Sequence, residues 1–94
     1  MFCITRGSGF HIQFKNGWRV SVQFGPGSYC DNYNMTIGVD DIEAGKNGSS
    51  NAELAVLNPE GDLMPIPWDE HNDTVTNRSS PEDALKLMIW ASEQ

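Results

Sequence analysis

Two stretches in the first quarter of the chain alternate apolar and polar residues with a period of two. They are residues 10–14, Phe-His-Ile-Gln-Phe, and residues 18–24, Trp-Arg-Val-Ser-Val-Gln-Phe. This alternation predicts two β-strands with one face towards a core and one towards solvent. Asn16-Gly17 between them indicates a hairpin turn.

The two faces of this hairpin select its turn. A two-residue loop would place Ile12 opposite Ser21, so that neither face would be apolar. A three-residue loop from Lys15 to Gly17 places Phe14 opposite Trp18 and gathers the apolar residues on one side. The apolar face then contains Phe10, Ile12, Phe14, Trp18, Val20, Val22 and Phe24. Because burial of one face fixes the register, we predict a type I turn with Gly17 in the left-handed position of a G1 bulge.

Residues 52–66 repeat this plan around the turn sequence Asn-Pro-Glu-Gly at 58–61. Asn, Pro and Gly stand where a type I turn favours them, so a second three-residue loop is predicted. The expected cross-strand pairs are Val56 with Met64 and Leu54 with Ile66. Because Pro65 cannot donate a hydrogen bond to a neighbouring strand, the second strand is expected to be an edge or to end there.

The C-terminal residues predict a helix over 81–92. Ser80 is a suitable N-cap, Pro81 suits the first helical position, and acidic residues follow in the first turn. The expected buried face consists of Ala84, Leu85, Met88 and Ile89, widened by Leu87 and Trp90.

Together these elements predict an α+β fold, an antiparallel sheet built from two G1-bulge hairpins and covered on one face by a C-terminal helix. We expect a single domain over residues 1–94, with the sheet over about 2–66, an acidic loop over 67–79 and the helix over 81–92. Residues 34–37 are a candidate additional strand.

Composition excludes several classes of function. The 94 residues carry a formal charge of −7, and all 13 acidic residues follow residue 30, whereas residues 1–30 carry a charge of +3. A chain this acidic is unsuited to binding nucleic-acid phosphates directly or an anionic membrane surface. It has no apolar run near the ~18 residues of a membrane span. The N-terminal residues lack a signal-peptide pattern, so we expect a cytoplasmic location.

Residues that could support catalysis or metal binding are few. Cys3, Cys30, His11 and His71 match no compact zinc-ligand spacing, and the acidic stretch 68–73 lacks the pattern of a calcium loop. No nucleophile and base stand in a recognisable motif. We therefore predict no enzyme activity, no metal and no cofactor, and the sequence leaves open whether the two cysteines form a disulfide.

Two surfaces are candidates for binding. The polar sheet face and the tyrosine-containing loop after the first hairpin each offer mixed polar contacts, although solvation alone would explain either. The candidate residues are His11, Gln13, Arg19 and Gln23 on the sheet face, and Tyr29, Asp31 and Tyr33 in the loop.

Three segments, residues 9–32, residues 50–61 and the helix start at 80–83, resemble in order a group of small bacteriophage and prophage proteins. The three segments together contain 40 of the 94 residues. It implies a viral context in a bacterial cytoplasm, and it supplies neither an activity nor site residues.

The leading hypothesis is a non-enzymatic phage accessory protein that binds and interferes with a host factor. A component of antiviral defence is one candidate for this factor. A second hypothesis is an oligomeric protein that sequesters a small ligand such as a nucleotide signal, using Tyr29, Tyr33 and Arg19. A third is an acidic mimic of nucleic acid. Homo-oligomers could form through the sheet edges.

Overall fold

The computed structural model describes residues 1–5, 9–25, 27–34, 40 and 48–94. Its centre is a five-stranded antiparallel sheet in which the strands follow one another in chain order. The strands are β1 (Phe2–Thr5), β2 (Gly9–Gln13), β3 (Arg19–Gln23), β4 (Glu53–Leu57) and β5 (Leu63–Met64). A C-terminal helix, α1 (Pro81–Ser92), completes the predicted α+β fold. The candidate strand at 34–37 falls mostly outside the described residues.

The first hairpin has the predicted register. Ile12 pairs with Val20 in the ladder, and the Phe14 amide donates to the Trp18 carbonyl at 2.9 Å. Gly17 donates to the Phe14 carbonyl at 3.0 Å with a φ of +90°, as a left-handed glycine in a G1 bulge requires. All seven apolar residues assigned to the inner face lie in or against the core.

The second hairpin also has its predicted three-residue loop. The Asn58 amide donates to the Asp62 carbonyl at 3.0 Å, Gly61 donates to the Asn58 carbonyl at 2.9 Å, and Val56 pairs with Met64. The strand then ends before Pro65, as expected.

The predicted pairing of Leu54 with Ile66 is wrong, because the ladder stops at Met64. The Ile66 amide turns instead to the Asp73 carbonyl, at 2.9 Å, and the neighbour of Leu54 becomes Thr76, whose amide donates to the Leu54 carbonyl at 2.9 Å. Isolated bridges of Ala55 with Val75 and of Ala52 with Ser79 extend this contact. Part of the connection before α1 therefore runs beside β4.

α1 has the predicted bounds. The Ser80 hydroxyl accepts from the Asp83 amide at 3.1 Å, and the Asp83 carboxylate accepts from the Ser80 amide at 3.4 Å, which forms a capping box. The helix packs across β3 and β4.

The predicted buried face of α1 is partly wrong. Leu85 and Ile89 are 58% and 50% exposed, whereas Leu87 and Ala91 are fully buried. Apolar residues surround more than half of this helix, so their spacing alone does not select the inner face. The side of α1 that meets the sheet carries Leu87 and Ala91, which are both members of the buried core.

The fully buried part of the core lies between α1 and the two middle strands. Its members are Val20, Val22, Leu54, Val56, Ile66, Leu87 and Ala91. Because α1 covers β3 and β4, the apolar side of β1 lies outside the covered area.

Candidate functional site

The four candidate residues of the polar sheet face lie on one side of β2 and β3. His11 pairs with Ser21, and Gln13 pairs with Arg19. The Arg19 guanidinium donates through Nη2 to Gln13 Oε1 at 2.8 Å, and Gln23 Nε2 donates to Ser21 Oγ at 3.1 Å. Much of the hydrogen-bonding capacity of this face is therefore used across and along its own strands.

His11 is half-buried between Cys3 of β1 and Ser21 of β3. Burial lowers the pKa of His11, and the positive charge of Arg19 lowers this pKa further. The imidazole is therefore neutral at pH 7, beside a guanidinium that is held by Gln13.

The loop at 27–34 is fastened by a buried thiol. Cys30 Sγ accepts from the Gly25 amide at 3.1 Å and donates to Asn32 Oδ1 at 2.9 Å. Cys30 and Asn32 are both buried. These two side chains give the loop its own small polar centre.

Tyr29 and Asp31 link this loop to β4 and to the segment before α1. The Tyr29 amide donates to Glu53 Oε2 at 2.9 Å, and the Arg78 amide donates to the Tyr29 carbonyl at 2.9 Å. Arg78 Nε donates to Asp31 Oδ1 at 2.9 Å, and the hydrogen bond from Arg78 is the largest cause of the lowered pKa of Asp31. Asp31 thus has a structural role in fixing the loop.

The exposed rings of Tyr29 and Tyr33 are the parts of this loop that remain available to a partner. The Arg78 guanidinium lies 5.8 Å from the centroid of the Tyr33 ring, close enough for a cation–π contact.

The structure does not bring Arg19 together with the two tyrosines. Arg19 stands at one end of β3, and Gln23 stands at the other. The loop is attached near Gln23, because its contact Glu53 pairs with that residue. Gln23 is four positions from Arg19, about 13 Å along the strand, so Arg19 and the tyrosine loop form two sites.

A third surface, absent from the sequence-based candidates, is an apolar groove beside α1. Phe10, Val22 and Phe24 of the first hairpin form its floor, and residues 48–52 and 79–81 close one side. The helix wall consists of Ala84, Leu85 and Met88. We call this surface the α1 groove; its volume is about 450 Å³.

The α1 groove continues towards β1. Ile4 pairs with Phe10 of the groove floor, and Phe2 is two residues away on the same face. Both side chains are largely exposed, at 88% for Ile4 and 78% for Phe2. Contiguous apolar surface of this kind typically marks an interaction site. The sequence signal for this surface was the number of apolar residues on α1, which is larger than one buried face needs.

Cys3 and Cys30 are both free thiols, and Cys30 is buried whereas Cys3 is partly exposed. Within the described residues, no group of three or more His, Cys, Asp or Glu side chains could hold a metal ion. In the same part of the chain, no helix is long and apolar enough to cross a membrane.

Comparisons with known proteins add no assignment, since no family model, no curated protein and no solved structure matches the chain.

Proposed function

We propose that this chain is a small accessory protein of bacteriophage that acts by binding a bacterial host protein, without catalysis of its own. Components of antiviral defence are the first class of target to test. The observation that carries the proposal is the α1 groove, an open apolar surface next to an exposed edge strand.

The shape of the α1 groove suits an inserted side chain. Its volume of about 450 Å³ lies within the range of small binding pockets, about 300–1,000 Å³. That space accepts one or two apolar side chains such as leucine or phenylalanine. Met88 in the wall is an adaptable contact because its thioether side chain is flexible and polarizable.

Charge indicates what should surround the inserted side chain. The chain carries a formal charge of −7, and the exposed Glu82 in the first turn of α1 directly follows Pro81 of the groove lining. Arg78 is paired with Asp31, and Arg19 is held on the opposite sheet face by Gln13. The partner is therefore a protein segment that carries an apolar anchor flanked by lysine or arginine.

The test compares two exposed residues of the same helix. Leu85 lines the α1 groove, whereas Ile89, one helical turn further along α1, is not part of the groove lining and lies near Trp68 and Glu93. We expect Leu85→Glu to lose capture of the partner from bacterial lysate and Ile89→Glu to retain it. With the captured protein purified, calorimetry should show at least a tenfold weaker affinity for Leu85→Glu and a change of less than twofold for Ile89→Glu.

The proposal fails if no captured protein binds Ile89→Glu more tightly than Leu85→Glu. The link to antiviral defence has a separate readout. Expression of the wild-type chain in defence-carrying bacteria should raise phage plating, and expression of Leu85→Glu should not.

A small-ligand sequestering protein is the second candidate, and the volume of the α1 groove favours it. The lining is dominated by apolar side chains, so this site suits an apolar ligand better than a nucleotide phosphate. Thermal shift assays with nucleotide signals and with small apolar compounds separate these cases, because a ligand that binds the folded state raises the Tm. No shift with either class at millimolar ligand would reject this candidate.

A further inference from the structure

β1 is an edge strand with an unusually open surface. Edge strands are commonly protected by charged residues, proline, bulges or short length. The opposite edge, β5, has only two residues and is followed by Pro65. β1 has the sequence Phe-Cys-Ile-Thr, without charge or proline, and the side chains of Phe2 and Ile4 are largely exposed.

The hydrogen bonding of β1 shows which backbone groups face outward. The Gln13 amide donates to the Met1 carbonyl at 2.8 Å, so Met1 and Gln13 form a hydrogen-bonded pair. In an antiparallel ladder such pairs alternate with pairs that are not hydrogen-bonded. Cys3 therefore directs its N–H and C=O towards β2, whereas Phe2 and Ile4 direct theirs to the open edge.

This edge is self-complementary in one register. A two-fold axis perpendicular to the sheet keeps each side chain on its own face, so even-numbered residues can pair only with even-numbered ones. An axis at Phe2 or at Ile4 gives two hydrogen bonds between residues 2–5 of the two copies. An axis at Cys3 pairs Phe2 of each copy with Ile4 of the other copy. This register gives four hydrogen bonds, because every outward N–H and C=O of Phe2 and Ile4 then has a partner.

We propose that two copies of this chain associate through β1 in the register centred on Cys3. The two sheets then join into one ten-stranded antiparallel sheet with a closed two-fold interface. Phe2 and Ile4 of both copies contact each other on the apolar face and connect the two α1 grooves. This inference does not rest on the proposed function.

The size of the interface sets its expected strength. A phenylalanine side chain can bury about 150–250 Å² and an isoleucine less, so the two Phe2 and two Ile4 side chains together cover at most on the order of 600 Å². Interfaces below about 1,200 Å² belong to weak, reversible complexes. The dimer therefore dissociates readily on dilution, and sedimentation velocity should follow it up to about 1 mM protein.

The matched variants place the same substitution on the two edges of the sheet. Ile4→Lys puts a charge in the centre of the β1 pairing and should weaken dimerisation at least tenfold. Leu63→Lys on β5, where Leu63 is 49% exposed, should change the dimerisation constant less than twofold. Ile4→Pro removes the outward-facing N–H and the Ile4 side chain but no hydrogen bond to β2, and proline is tolerated at such edge positions, so it should weaken the dimer while circular dichroism shows the fold retained.

Cys3 supplies an independent test of the register. Residues opposite each other in a pair without hydrogen bonds have Cα atoms about 4.5 Å apart, within the 4.4–6.8 Å range of disulfides. In a Cys30→Ser background, diamide should oxidise the two Cys3 thiols to one disulfide as one diamide is reduced to its hydrazine. A covalent dimer should form, and Cys3→Ser should abolish it.

The proposal would be overturned by a strict monomer at about 1 mM, by a dimer that Leu63→Lys disrupts and Ile4→Lys does not, or by a dimer whose Cys3 thiols fail to cross-link. Higher oligomers in place of a closed dimer would also reject it, since they indicate pairing of β1 with β5.

Discussion

The indole rings of Trp18 and Trp90 meet edge to face, with their centroids 5.3 Å apart and their planes at 88°. Trp18 directly follows the turn of the first hairpin, and Trp90 lies near the C-terminal end of α1. The contact joins two elements that are distant in sequence, at the end of the sheet opposite the loop at 27–34.

Replacing either ring should loosen this junction, and the two effects should not be additive. Trp90→Ala is expected to cost about 3 kcal/mol, at the lower end for aromatic truncation because the ring is only half-buried. A double-mutant cycle with Trp18→Ala should give a coupling of about 0.5–1.5 kcal/mol, measured by urea unfolding. A control cycle of Trp90→Ala with Tyr29→Ala should be additive, and additivity in both cycles would contradict the contact.

Asn16 fastens the same turn to the end of the helix. Its Nδ2 donates to the carbonyls of Ala91 at 2.8 Å and Gln94 at 3.2 Å, and its Oδ1 accepts from the Trp18 amide at 3.0 Å. Carbonyl groups at a helix C-terminus carry partial negative charge and often lack partners.

Asn16→Ala should therefore reduce the free energy of unfolding by about 1–2 kcal/mol. Asn16→Asp should reduce it more at pH 7, because a carboxylate replaces the donor and faces the negative end of the helix. Urea unfolding checks the order of the two variants, with Lys15→Ala as an exposed neighbour expected to change stability by less than about 0.5 kcal/mol. A more stable Asn16→Asp variant would refute this role.

The sequence was most informative where two requirements acted on the same residues. The pairing of Phe14 with Trp18 was predictable because only one register gathers the apolar side chains and also places Gly17 where the turn needs it. The start of α1 was predictable for a similar reason, since Ser80 and Pro81 both mark it.

Other features depend on contacts between distant elements, which periodicity does not report. The buried face of α1 is the one that carries Leu87 and Ala91, and helical spacing alone did not distinguish it from the face of Leu85 and Ile89, which were misassigned. The α1 groove arises because the helix covers β3 and β4 and leaves Phe10 at its margin. The separation of Arg19 from Tyr29 depends on where the loop attaches to β4, which no local pattern shows.

Gly9 should tolerate substitution less well than Gly61. A Cβ at Gly9 would lie 2.0 Å from the Val22 carbonyl oxygen, which is fixed in the neighbouring strand. Gly61 also has a positive φ, of +86°, but a Cβ there would meet open space.

Gly61→Ala should therefore cost only the strain of the left-handed backbone, about 1–2 kcal/mol. Gly9→Ala should cost more than this, about 3 kcal/mol or above, because backbone must also move. Thermal and urea unfolding of both variants provide the comparison. If Gly9→Ala proved as stable as Gly61→Ala, the close approach of Gly9 to Val22 would be excluded.

The lowered pKa of His11 predicts how stability depends on pH. Burial is the larger cause and the Arg19 charge is the second, so the folded state disfavours the protonated imidazole. Between the lowered folded pKa and the unfolded value of about 6.5, the unfolded chain binds more protons. Stability from this group is therefore fully present above pH 6.5 and decreases as the pH falls through that window.

Urea unfolding between pH 7.5 and pH 5 should isolate this contribution. The comparison is between a parent that carries His71→Asn and the same protein with His11→Gln added. The parent should lose more stability on acidification than His11→Gln does. Arg19→Gln should raise the pKa of His11, measured from its ring-proton NMR shifts, but leave it below 6.5 because burial persists. A His11 that titrates at or above 6.5 in the parent would show that neither burial nor Arg19 acts on it as the structure indicates.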